Sequence, residues 1–122
     1  MKTVFLILTV AILAIAFSSF GQETETFTDS RDGKTYKTVK IGSQTWMAEN
    51  LAYLPAVSPP TQGSNTAPHY YVYGYTGTDV AAAKQNANYT TYGVLYNWPA
   101  ALADCPSGWH LPSDAEWTAL TN

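Results

Sequence analysis

The stretch "YLPAVSPPTQGSNTAPH", from Tyr53 to His69, contains Pro55, Pro59, Pro60 and Pro68 among glycine and small polar residues, and its few apolar residues follow neither a strand nor a helix period. Proline fixes φ and lacks an N–H, so neither a helix interior nor a central strand runs through such a segment. It reads as a loop or long insertion rather than a core element. Loops of this length are uncommon in compact domains unless they are functional or disordered. Regular structure in this chain therefore lies on either side of it, in short pieces.

On the N-terminal side, "FTDSRDGKTYKTVKIGSQTWMAENL" carries its own turn chemistry. Asp32-Gly33 predicts a hairpin or tight turn. Gly42-Ser43 is the Gly-X pair of a type II′ hairpin and separates two predicted antiparallel strands, about 35–41 and 44–48. Lys34, Lys37 and Lys40 read as the solvated face of a short strand, or as an edge protected from pairing.

Beyond the proline-rich stretch, "HYYVYGYTG" places Tyr71, Tyr73 and Tyr75 on one side of an expected strand, with Tyr70 and Val72 on the other. A row of tyrosines suits stacking on sugar rings or peptide, and equally suits a half-buried strand, where tyrosine is favoured. Asp79 to Asn86 has the alanine content and Asp cap of a short helix. Asn88-Tyr89-Thr90 fits the N-glycosylation acceptor pattern, a short and unspecific one.

The C-terminal third is more sharply punctuated. An extended segment at about 92–97 precedes a short helix with Pro99 near its first position. Pro106 ends that helix by disfavouring helical geometry at Cys105. Ser107-Gly108 turns the chain, and Ser113-Asp114-Ala115-Glu116 is a capping box that opens a second helix, with Trp117 and Leu120 on one face.

The opening residues, "MKTVFLILTVAILAIAFSSFGQ", have one positive charge at Lys2 and an apolar run of 14 residues from Val4 to Phe17, interrupted only by Thr9. That is the pattern of a secretory signal peptide, residues 1–21, and it falls short of the roughly 18 residues of a membrane-spanning helix. No transmembrane segment is expected after cleavage, and the destination is secretion or the cell surface, with periplasm or outer membrane possible. The remaining chain has five basic residues against nine acidic ones, which disfavours nucleic acid as a partner.

Candidate catalytic chemistry is sparse. His110, Asp114 and Glu116 are metal-ligand types close in sequence, yet the usual ligand spacings are absent, and both acids fall where a helix N-terminus favours negative charge. Cys105 and His110 form a nominal nucleophile and base without a third orienting group. No cofactor or metal is expected, and the chain reads as no enzyme. Cys105 is the only cysteine, and an odd cysteine in an exported protein points to intermolecular pairing, a free thiol or a missing partner.

The blocks "TDSRDGKTYKTVKIGSQTWMAENLAYLP", "YGVLYNWPAAL" and "CPSGWHLPSDAEW" together resemble the Fibrobacter succinogenes major paralogous domain, abundant in exported proteins of the Bacteroidetes and Fibrobacteres. The resemblance covers residues 27–122, after a short linker at 22–26, with a Pro/Gly/Tyr-rich insertion at about 53–91. It implies an α+β fold of the C-type-lectin-like group, in which an N-terminal hairpin and antiparallel strands accompany two short helices. It also implies a C-terminal half missing here, and hence a disulfide at Cys105 whose partner lies outside the chain.

The resulting expectation is an exported, non-catalytic surface or extracellular module for binding or adhesion. Its partner is an unidentified extracellular glycan or protein, with Tyr71, Tyr73 and Tyr75 as candidate ligand-binding residues. The alternatives are an enzyme related to formylglycine-generating or sulfatase-modifying proteins, and a purely structural surface domain.

Overall fold

The computed structural model describes residues 24–121. The expected signal peptide lies outside them. Strand β1 (Thr24–Thr28) pairs antiparallel with β2 (Thr35–Ile41), and β2 pairs with β3 (Gln44–Met47), so a three-stranded meander opens the fold. β1 begins within the segment expected as linker; its apolar content is too low for a strand period to show in the sequence, and pairing with β2 supplies the order. Ile41 faces Gln44 across a two-residue turn, where Gly42 has φ 61° and Ser43 does not enter positive φ, as a type II′ turn requires. β2 is the central strand, so its lysines are not an edge device. Instead β2 alternates, with Tyr36 and Thr38 buried and Lys37 and Lys40 exposed.

After the proline-rich stretch come β4 (Tyr70–Tyr71), α1 (Val80–Gln85), α2 (Ala87–Tyr92), β5 (Leu95–Tyr96), α3 (Trp98–Ala103) and α4 (Asp114–Thr121). β4 and β5 form a second antiparallel pair. The class is thus α+β, with small antiparallel sheets and short helices. Asp79 caps α1 through the Ala82 amide at 2.9 Å, as expected from the sequence. Asn86 ends α1 and caps α2, a helix that falls outside the sequence expectation and takes Tyr92 from the predicted extended segment. Gly93 closes α2 with φ 72°, and a Cβ there would lie 2.7 Å from the Leu51 carbonyl oxygen, so the close approach to Leu51 admits only glycine without a backbone shift.

The reading of the proline-rich stretch as a loop rather than a core element is corrected by the structure. The buried apolar cluster is Leu54, Val57, Tyr70, Val72, Ala83, Val94 and Ala100, and Leu54 and Val57 belong to that stretch. No period marks these two because the backbone there is irregular, and each turns inward through its own local geometry. Backbone polar groups in such a segment must find partners outside a regular ladder. They do so through side chains: Tyr36 Oη accepts from Ala52 N at 3.0 Å, while the Tyr89, Tyr96 and Tyr71 hydroxyls donate to the carbonyls of Ala52, Tyr53 and Gln62.

Asn97 performs the same task for the far end of the stretch. Its Oδ1 accepts from His69 N at 2.8 Å and from Ala100 N at 3.2 Å, capping α3. Its Nδ2 donates to the carbonyls of Ser64 and Ala67 at 2.9 and 2.8 Å. One amide therefore starts a helix and closes the 64–69 segment onto it. The Asn97→Ala change removes a helix cap, worth about 1 kcal/mol, and leaves further groups unpaired at about 1–3 kcal/mol. Urea unfolding is expected to show a loss of about 2–4 kcal/mol, and a loss under about 0.5 kcal/mol would contradict this role.

Candidate functional site

The three tyrosines expected in a row do not form one. β4 ends at Tyr71, and a turn at Tyr73-Gly74 returns the Tyr75 amide to the Val72 carbonyl at 3.0 Å. Tyr71 is half-buried, stacked on His69 and bonded through its hydroxyl to the Gln62 carbonyl. Tyr75 packs against the core and donates its hydroxyl to the Asp79 carbonyl at 3.0 Å. Only Tyr73 stands out, 65% exposed, edge-on to Tyr92. The alternation failed as a guide because Gly74, at positive φ, breaks the strand before a face can form.

Most tyrosine hydroxyls in the molecule are engaged in the same way. Burial, foremost, raises the Tyr36, Tyr89 and Tyr96 phenols above their ordinary value. Tyr70 is pushed up to about 12, first by burial and then by its hydrogen bond to the Asp104 carboxylate. These phenols remain protonated through the physiological range and serve as fixed hydrogen-bonding groups.

A different set of aromatic residues lines an open groove of about 510 Å³ between the β2–β3 hairpin and residues 105–117. Trp46 and Trp117 meet at 4.9 Å between ring centroids, inclined by 45°. Trp109, also on the groove, packs on Phe27 of β1 at 5.2 Å. Cys105, half-buried, faces the groove with its thiol 3.5 Å from the Ala101 carbonyl. The groove's apolar surface extends outward through Leu111 and Trp117, which are 39% and 51% exposed. Nothing on α4 is buried.

The position of α4 follows from the capping box expected in the sequence. Ser113 N donates to Glu116 Oε2 at 2.8 Å, and Glu116 N donates to Ser113 Oγ at 3.3 Å. Glu116 Oε1 meets His110 Nε2 at 2.7 Å, which ties the extended segment before the helix to its first turn. Gln44 Nε2 reaches the Glu116 carbonyl at 3.4 Å, and Gln44 Oε1 accepts from Trp46 Nε1 at 3.3 Å. Gln44, Trp46, His110, Ser113 and Glu116 thus hold one another. His110 is turned to Glu116 and Cys105 to Ala101, and no hydrogen bond joins Cys105 to His110 among the described residues. Among those residues no three His, Cys, Asp or Glu side chains gather as a metal site, and no helix is long and apolar enough to cross a membrane.

Trp46, Gln44, Trp109 and Leu111 do not stand out as a set in the sequence, because they come from a hairpin and a loop 58 or more residues apart that only the fold brings together. The family comparison fits this frame. A family model, the Fibrobacter succinogenes major domain, matches residues 39–122. The chain belongs to this family. The matched span runs from mid-β2 through α4 and includes the proline-rich stretch, both sheets' C-terminal strands, Asn97 and the Ser113–Glu116 capping box. No curated protein and no solved structure matches the chain.

Glu116 provides a pH test of this geometry. Its carboxyl is held down to about 2, first by the Ser113 backbone N–H, then by the Ser113 hydroxyl and His110. A depressed folded-state value means that the stabilisation is fully present above the ordinary carboxyl value and disappears as pH falls through about 2. The Ser113 amide resonance is expected to titrate with a midpoint near 2, and this step is expected to vanish in Glu116→Gln. A midpoint near the ordinary glutamate value of 4.5 would contradict the capping geometry.

Proposed function

We propose that this family member is an exported, non-catalytic binding module that holds a polypeptide partner in the Trp46–Trp109–Trp117 groove. The observation that carries the reading is the division of labour in the groove: its rings are open while the side chains of Gln44, His110 and Glu116 are committed to their neighbours. A glycan site needs many free hydrogen-bonding groups around a stacking ring, whereas an apolar anchor from a protein chain needs a desolvated aromatic pocket. Gln44 and Glu116 already satisfy Trp46, Ser113 and His110, which leaves the groove suited to aliphatic or aromatic side chains.

Export rests on Lys2 and the apolar run from Val4 to Phe17, and it places the module in an oxidising compartment, secreted or at the cell surface. There, Cys105 at the groove is one half of a disulfide whose other cysteine comes from outside this sequence. The order of an N-terminal hairpin followed by α3 and α4 supports a C-type-lectin-like arrangement. A non-catalytic role is supported by the committed state of His110 and Glu116, the groove's principal titratable groups, in the helix cap.

Panning a displayed peptide library on the immobilised chain tests the reading. Enriched peptides are expected to carry aromatic or aliphatic anchors. Their binding is expected to fall at least about tenfold in Trp117→Ala, the loss typical of a central aromatic anchor, and to be unchanged in Tyr73→Ala. Absence of any enriched peptide, or enriched peptides whose binding is unchanged in Trp117→Ala, would contradict it.

A further inference from the structure

A second cleft, about 420 Å³, opens between the exit of β3 and the end of α2. Its construction is opposite to that of the aromatic groove. The floor is fixed by cross-links between residues 50–52 and the region of α2: Asn50 Nδ2 donates to Tyr92 O at 3.0 Å, Val94 N to Leu51 O at 3.2 Å, and Tyr89 Oη to Ala52 O at 2.9 Å. The close seat of Gly93 against Leu51 completes it. At one side the Lys34 ammonium sits 5.6 Å from the ring centroids of both Tyr36 and Tyr89, a cation held over two aromatic faces.

The groups facing this cleft retain hydrogen-bonding capacity. Lys34 has no carboxylate partner among the described residues. Glu49 accepts from Lys37 N through Oε2 at 2.6 Å, which leaves Oε1. Asn50 uses its amide nitrogen on Tyr92 and leaves its oxygen. Thr90 lines the cleft with its hydroxyl unengaged by any described residue. One cationic donor and a carboxylate keep the site near neutral overall, and most of the remaining groups accept. A matching ligand donates several hydrogen bonds and accepts at least one, without net charge. Hydroxyl groups do both at each position, and a volume in this range suits one or two sugar rings.

We infer that this cleft is a binding site for a neutral, hydroxyl-rich ligand, a mono- or disaccharide unit, with Lys34 donating to a sugar oxygen and Glu49, Asn50 and Thr90 accepting from hydroxyls. The site shares none of its hydrogen-bonding residues with the polypeptide groove, and Met47 alone lines both.

Amide NMR titration of the full chain with cellobiose and with maltose tests the inference, with glycine, a zwitterion, and sodium acetate, an anion, as controls without hydroxyl groups. Saturable shifts confined to Lys34 and residues 47–52 and 89–94 are expected with at least one disaccharide and with neither control. Glu49→Gln and Thr90→Val, both at exposed positions, are each expected to weaken that binding, by about tenfold for Glu49→Gln, while leaving the spectrum of the folded chain intact. The inference is overturned by an absence of saturable shifts with both disaccharides, by equal response to glycine or acetate, or by binding that neither variant alters. Because Trp117→Ala leaves this cleft untouched, failure here and failure of the polypeptide groove are separately readable.

Discussion

Arg31 is the side chain on which the arrangement of the chain most depends. Its guanidinium grips the Asp29 carboxylate bidentately, with Nη2 to Oδ2 at 2.6 Å, and lies 3.8 Å above the Tyr53 ring. Its Nη1 donates to the Asp104 carbonyl at 2.8 Å, and the Asp104 carboxylate in turn accepts from the Tyr70 hydroxyl. The first hairpin, the start of the proline-rich stretch, β4 and the end of α3 thus converge on one planar cation. Asp29 is 1% exposed, and the guanidinium beside it holds its carboxyl below the usual range. Stranding such a charge costs on the order of 3–5 kcal/mol, comparable with the whole stability of many small domains.

The same logic governs the tyrosines. A chain of this size has a limited apolar core, and Leu54 and Val57 of this one are contributed by a segment that forms no sheet ladder. Phenols resolve the conflict because the ring fills apolar volume while the hydroxyl reaches a carbonyl of the irregular backbone. Tyr71, Tyr75, Tyr89 and Tyr96 each do so, and the Tyr36 hydroxyl accepts from the Ala52 N–H instead. The abundance of tyrosine, which from composition alone suits either a core or a binding face, is mainly a device for folding the proline-rich stretch. Surface available for partners consequently falls to the tryptophans and to the polar cleft beside Lys34.

Local chemistry was readable in the sequence wherever a few neighbouring residues suffice. The Gly42-Ser43 turn, the Asp79 cap, the proline stop after α3 and the Ser113–Glu116 box all act over four residues or fewer, and the structure contains each of them. The core contribution of Leu54 and Val57 was not readable, because it depends on hydroxyls and an amide supplied from Tyr89, Tyr96 and Asn97, some 30 to 40 residues away. The tyrosine row illustrates the opposite error: alternation predicts a face only while the backbone stays extended, and Gly74 ends that condition. Of the residues lining the two clefts, only Cys105, His110 and Glu116 are weighed for catalysis or metal binding in the sequence, since the clefts' lining residues become neighbours only through the fold.

Native-state amide hydrogen exchange reads the central claim, that the proline-rich stretch is a structural member closed by distant side chains. The amides of Ala52, Ser58 and His69 bond to Tyr36 Oη, the Tyr70 carbonyl and Asn97 Oδ1 respectively. They are expected to exchange with the same opening free energy as the Tyr36 and Thr38 region of β2, as parts of one cooperative unit. Exchange of those three amides near the rate of an unstructured chain, while β2 stays protected, would contradict the account.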